Sequence, residues 1–219
     1  PSEDVQTFIR VARGDLNLER LSAPAPHEAS PALQETQPAA YPIRLPLQPT
    51  PLIGRDAELA AMERIFKNPE CRLLTLAGMG GVGKTRLAIE FAFGQRAAFS
   101  GGVYFVPLAP VNRAEAIVPA VADAIGFGFS GPTEPKDQLL HYFQHQPNHP
   151  LLLVLDNLEH LLVQQAGDEN PGAAGLVSEF LQRLPNLKIL ATSRERLNLH
   201  GEWTYEIHGL PIPPEDLSE

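Results

Sequence analysis

Eight residues constrain this chain more than any others: Gly78-Met-Gly-Gly-Val-Gly-Lys-Thr85. They follow an apolar run, Leu73-Leu-Thr-Leu-Ala77, and open a helical stretch. The pattern G-x-x-x-x-G-K-[ST] between a strand and a helix is that of a phosphate loop. Its residue types follow from its chemistry. Gly78, Gly80, Gly81 and Gly83, with Val82 among them, let backbone N–H groups turn inward without Cβ clashes. Those N–H groups and the helix N-terminus form an anion nest. Lys84 adds a point charge near the terminal phosphates, and Thr85 offers a hydroxyl to Mg²⁺. Such a loop needs a sheet behind it and helices over it.

The remaining pattern supplies both. Strands are expected at 72–77, 103–108, 151–155, 187–192 and 203–207. Helices are expected at 56–67, with Leu59, Met62, Ile65 and Phe66 inward, and near 84–97, 113–125, 135–146, 158–165 and 173–184. The strands are continuous apolar runs, the mark of a parallel sheet covered on both faces. Their alternation with helices predicts a three-layer, doubly wound α/β fold with a mainly parallel five-stranded sheet. Phe91, Phe93, Phe99 and Phe105 read as core, and 166–175 as a polar surface loop.

Proline divides the 219-residue chain, with 22 in all. Residues 1–21 are expected to be a helical tail, with Val5, Phe8, Ile9 and Ala12 on one face of a helix over 2–13. Residues 22–50 read as a Pro-rich linker, although the more apolar stretch from Tyr41 to Leu47 is also compatible with lying against the next domain. The nucleotide-binding domain is expected over 51–219. A chain that begins at Pro1 reads as a piece of something longer. Seventeen Lys plus Arg against 26 Asp plus Glu give a net charge of −9, so no direct DNA contact is expected from it. The single cysteine, Cys71, argues for a reducing, cytoplasmic setting, and no apolar run approaches the length of a membrane span.

A second half of the site is expected at the end of the run Leu151-Leu-Leu-Val-Leu-Asp156. Asp156 would hold Mg²⁺ together with Thr85; its alternative is a helix cap for the turn that follows. Hydrolysis also needs a group that orients water. Asn157 cannot take a proton, and Glu159 is the nearest acid. Arg194, after the strand 187–191, would face the terminal phosphate; from spacing alone it reads equally as a surface arginine paired with Glu195 or Glu202. His141, His145 and His149 read as helix packing, since Pro147 interrupts their spacing.

Taken together, these motifs resemble the STAND class of signal-transduction ATPases, close to the NB-ARC type found ahead of tetratricopeptide-like repeats in bacterial regulators. The resemblance spans about 41–219. It rests on Leu52-Ile53-Gly54-Arg55 through Glu58, the phosphate loop through Arg86-Leu-Ala, the run Val103–Leu108, Leu151–Leu162 and Ala191-Thr-Ser-Arg194. It implies a sheet order of 5-1-4-3-2 with 103–108 at the edge. Leu52, Ile53, Gly54 and Arg55 would line adenine, largely through their backbone. Arg194 would sense the γ-phosphate, and Lys84, Asp156 and Glu159 would complete the catalytic set, with Arg86 beside the loop. The implied ligands are ATP, ADP and Mg²⁺. The implied partners are downstream helical and repeat domains and, in the ATP form, further copies of the chain. The N-terminal helix resembles the tail of a helix-turn-helix domain. Asn157 in place of a second acid points to slow hydrolysis in a switch. Two alternatives stay open: a working ATPase with fast turnover, and a nucleotide-binding scaffold that never hydrolyses.

Overall fold

The computed structural model describes residues 42–145, 149–162 and 172–210, all within a compact unit running from Ala40 to Glu219. The expected N-terminal helix over 2–13, most of the linker and the loop at 166–171 lie outside the described residues.

Among the described residues six strands form one sheet: β1 (Ile43–Arg44), β2 (Leu73–Ala77), β3 (Gly102–Pro107), β4 (Leu151–Asp156), β5 (Leu187–Ser193) and β6 (Glu202–Glu206). Their order is β1-β3-β4-β5-β2-β6, and every pairing is parallel. The five expected strands thus keep their expected order, and the doubly wound α/β class holds. One expectation about the sheet fails: 103–108 is not the edge. Ile43 and Arg44 pair with Val103 and Tyr104 outside it, and Pro42 accepts from the Val103 N–H at 3.0 Å. Two residues are too few to show a strand period. Arg44 secures this strand by laying its guanidinium over Gly126, at the C-terminal end of a helix where a cation is favoured.

Among the described residues five α-helices cover the sheet: α1 (Asp56–Phe66), α2 (Lys84–Gln95), α3 (Ile117–Ile125), α4 (Pro135–Gln144) and α5 (Gly172–Arg183). Apolar runs become two cores because consecutive strand residues face opposite ways. Leu151, Leu153 and Leu155 join Val106, Ile189, Val121, Leu140 and Phe180 under α3, α4 and α5. Leu152 and Val154 join Leu74, Leu76, Met62, Leu87 and Phe91 under α1 and α2. Phe91 and Phe99 are buried as expected, whereas Phe93 is 48% exposed under the Arg96 guanidinium, 4.3 Å from its ring centre. Two positions along a helix from Phe91, it falls on the outer face. The helix expected at 158–165 is, among the described residues, one 3₁₀ turn over Glu159–Leu161.

Candidate functional site

Parallel strands bring their C-terminal ends to one side of the sheet. Ala77 pairs with Ser193 there, and Asp156 closes β4 beside Thr192, one rung past the Leu155–Ala191 pair. β5 lies between β2 and β4, so the loops after β2 and β4 leave in different directions and open a crevice. Open α/β sheets bind their ligands at such a switch point.

The phosphate loop occupies that crevice. Gly83 has φ +93°, a left-handed backbone that starts α2 and that side chains rarely adopt. Gly78 is required for a second reason: a Cβ there would lie 2.4 Å from the Ile207 carbonyl oxygen. Gly78→Ala is therefore expected to destabilise the domain by roughly 1–3 kcal/mol, as overpacking does, and to be detected as a lower melting temperature. The loop interior is open, with nothing within 4 Å of a Cβ placed on Gly80, Gly81 or Gly83. A cleft of about 320 Å³ runs from Gly78 and Met79 to Arg194, Arg196 and the end of β6.

The predicted side chains converge. Lys84 donates through Nζ to the carbonyls of Gly78 at 2.7 Å and Met79 at 2.9 Å. Burial lowers its pKa from the ordinary lysine value; Glu159 and Asp156 oppose that shift and Arg194 adds to it. Thr85 donates its hydroxyl to Asp156 Oδ1 at 2.6 Å. The turn after Asp156 takes no side-chain cap, so the carboxylate is not used as a helix cap. Two hard oxygen donors at one point, beside an open anion nest, are the donor set that a Mg²⁺–nucleotide requires.

Arg194 pairs with neither Glu195 nor Glu202. Its Nε lies 3.2 Å from Glu159 Oε1, with Arg194 72% exposed and Glu159 largely buried. Glu159 Oε2 is buried and has no hydrogen-bond partner among the described residues. Glu202 instead accepts from the backbone N–H groups of Leu197 and Leu199. Asn157 has a left-handed backbone, φ 68°, and its amide Nδ2 lies 3.3 Å from His160 Nδ1.

The segment at 52–55 divides its roles. Leu52 packs against the core under α1 and α2, Ile53 is 75% exposed, and Gly54 turns at φ +71°. Arg55 is only 6% exposed. Its guanidinium donates to Glu58 Oε1 at 2.5 Å, the Val82 carbonyl at 3.0 Å and the His208 carbonyl at 2.8 Å. The guanidinium of Arg55 is thus fully engaged within the fold. Arg86 donates to the Thr50 carbonyl. Sequence reasoning placed Arg55 beside the base but missed the clamp its guanidinium makes, and it did not single out Thr192, which donates to Asp156 Oδ1 at 2.7 Å. The sequence signal for Thr192 is its place in a motif read for Arg194.

Known proteins match this arrangement. Residues 72–208 match the NACHT domain family model. A Mycobacterium tuberculosis protein, named provisionally as an HTH-type transcriptional regulator, is 39% identical over 144 residues, covering 66% of this chain and 15% of its own length. An uncharacterized protein of the same species is 31% identical over 163 residues, covering 74% of this chain and 38% of its own. The chain thus spans well under half of either relative. Among solved structures, the Cdc6 protein of Pyrobaculum aerophilum superposes with a TM-score of 0.54 at 15% identity, over 73% of this chain and 46% of that one. The Aeropyrum pernix ORC2 protein does so with 0.52 at 19% identity, over 68% and 43%. These last two share the fold. The family match covers β2 to β6, the phosphate loop, Asp156 and Arg194, and the chain belongs to the NACHT-domain family of P-loop NTPases.

Proposed function

We propose that this chain is the adenine-nucleotide switch of a larger signalling or transcription-regulating protein of the STAND class, NB-ARC-like in its motifs. It binds ADP and ATP with Mg²⁺ and hydrolyses ATP slowly. The observation that carries this reading is the meeting of Thr85 and Asp156 at 2.6 Å beside an open phosphate loop. Mg²⁺ would neutralise phosphate charge there. Lys84 and the loop N–H groups would hold the phosphates, Thr85 and Asp156 the cation, and Leu52–Arg55 the base. Slow hydrolysis is supported by Asn157, which has no acid to offer, and by the engagement of Glu159 with Arg194. Regulation of transcription is supported by the name of the mycobacterial relative. Downstream helical and repeat domains and nucleotide-dependent self-association are its proposed partners, and the cytoplasm its proposed location. No helix among the described residues is long and apolar enough to cross a membrane.

A thermal melt with ADP–Mg²⁺, ATP–Mg²⁺ and GTP–Mg²⁺ tests the reading. A ligand at 100 times its Kd adds about 2.7 kcal/mol, roughly 5–10 °C for a domain of this size. Adenine nucleotides are expected to give that shift; no shift at millimolar concentration overturns the reading. Asp156→Asn is expected to weaken binding in Mg²⁺ by about tenfold while leaving binding in EDTA nearly unchanged. Equal loss in both would remove Asp156 from the metal site. Turnover at about 1 s⁻¹ or faster would replace the switch with a working ATPase.

A further inference from the structure

Thr192 is the penultimate residue of β5 and is 2% exposed. Its hydroxyl is committed on both sides. The Asn157 backbone N–H donates to it at 2.9 Å, and it donates to Asp156 Oδ1 at 2.7 Å. A hydroxyl has a single proton. With an N–H already pointing at the oxygen, that proton goes to the carboxylate. The Thr192 carbonyl then accepts the Leu158 N–H at 3.1 Å. Two successive N–H groups therefore close on one residue, and Asn157 takes its left-handed backbone at this closure. The turn so built delivers Glu159 to within 3.2 Å of Arg194, two residues beyond Thr192. One buried threonine thus sets the placement of both acids of the site.

Asp156 Oδ1 has two hydroxyl donors, Thr85 and Thr192. They differ in what else they can do. Thr85 is exposed at the start of the phosphate-loop helix, where its oxygen would itself ligate a cation through a lone pair while its proton stays with Asp156. Thr192 is enclosed by the sheet and serves Asp156 alone.

We infer that Thr192 is a positioning residue: from the enclosed side of the crevice its hydroxyl holds Asp156 toward the divalent cation, and so sets the metal dependence of nucleotide binding. The inference rests on the reading of this crevice as a Mg²⁺–nucleotide site. Thr192 itself touches neither ligand; it acts through Asp156, as outer partners of metal ligands do.

The test is a titration of the whole 219-residue chain with ADP, once in excess EDTA and once in millimolar Mg²⁺. Mn²⁺ binding in the presence of ADP, followed by electron paramagnetic resonance, serves as a readout of the metal alone. Thr192→Val keeps the branched shape and the strand propensity but has no hydroxyl. It is expected to leave the EDTA affinity within about twofold and to weaken Mn²⁺ binding by about tenfold, the low end for an outer-shell partner. Thr192→Ser, with the hydroxyl and without the methyl, is expected to restore Mn²⁺ binding to within about threefold of the parent. Thr192→Ala gives the same loss as valine by a smaller change, and stands in if valine unfolds the strand. A valine variant with parental Mn²⁺ affinity overturns the inference, as does a serine variant no better than valine. A parent chain that binds ADP in neither condition overturns the reading beneath it as well, so the two failures are told apart.

Discussion

Lys84→Ala is expected to weaken ADP–Mg²⁺ and ATP–Mg²⁺ binding by about 100-fold or more while leaving the fold intact. In the free protein the ammonium is held by the carbonyls of Gly78 and Met79. No carboxylate lies within 4 Å of it among the described residues, so its charge is only partly offset. Burial already lowers its pKa, which means that the site holds an under-solvated cation. A phosphate supplies the missing counter-charge. Hydrogen bonds to charged groups contribute about 1.5–3 kcal/mol each, so the loss of two phosphate contacts exceeds two orders of magnitude. The fold does not depend on this side chain. The buried face of α2 is Leu87, Ala88, Ile89, Phe91 and Ala92, and alanine is the best helix former. Calorimetric titration measures the affinity, and a melting temperature within about 2 °C of the parent, equivalent to under 1 kcal/mol, checks the fold. An unchanged affinity would remove the phosphate site altogether.

Arg55→Ala is expected to have the larger effect on stability, about 3 kcal/mol, or roughly 10 °C in melting temperature. Its guanidinium joins the start of α1 to the phosphate loop and to the end of β6 through Glu58, Val82 and His208. Its removal leaves two carbonyls and a carboxylate without their donor in a poorly hydrated place. Arg55→Lys is not expected to rescue the loss, because an ammonium lacks the planar fork that reaches three acceptors. A pH signature accompanies the change. The hydrogen bond from Arg55 holds the Glu58 carboxyl below its usual range, against the opposing effect of burial. A depressed carboxyl contributes stability above its unfolded pKa, about 4.3, and that contribution is lost as pH falls through the folded value. The gap in melting temperature between parent and Arg55→Ala is therefore expected to narrow below about pH 4. A gap that stays constant with pH would assign the loss to the two carbonyl bonds alone.

Several of these parts are legible in the sequence. The phosphate loop is local: its glycines, Lys84 and Thr85 lie within eight residues, and strand-then-helix is written in the hydrophobicity on either side. The two-faced core was also legible, since runs such as Leu151–Leu155 have no polar residue to turn outward. Other features were hidden for a common reason. Ile43–Arg44 is too short to show a period, and it joins the sheet only because the β3 edge is open to it. Phe93 looks like Phe91 in composition and differs in the helix face it occupies.

The site divides in the same way. The phosphate loop, the acid that ends β4 and the arginine after β5 are legible in the residue order alone, because each follows from a neighbouring pattern. Their partners are fixed by the fold. Arg194 meets Glu159, not the nearby Glu195 or Glu202; Thr192 meets Asp156 across 36 residues; and Arg55 meets His208 across 153. Those pairings depend on strand register and on which loops share one end of the sheet. Register is set by packing summed over the whole domain, and no local stretch of chain carries that information.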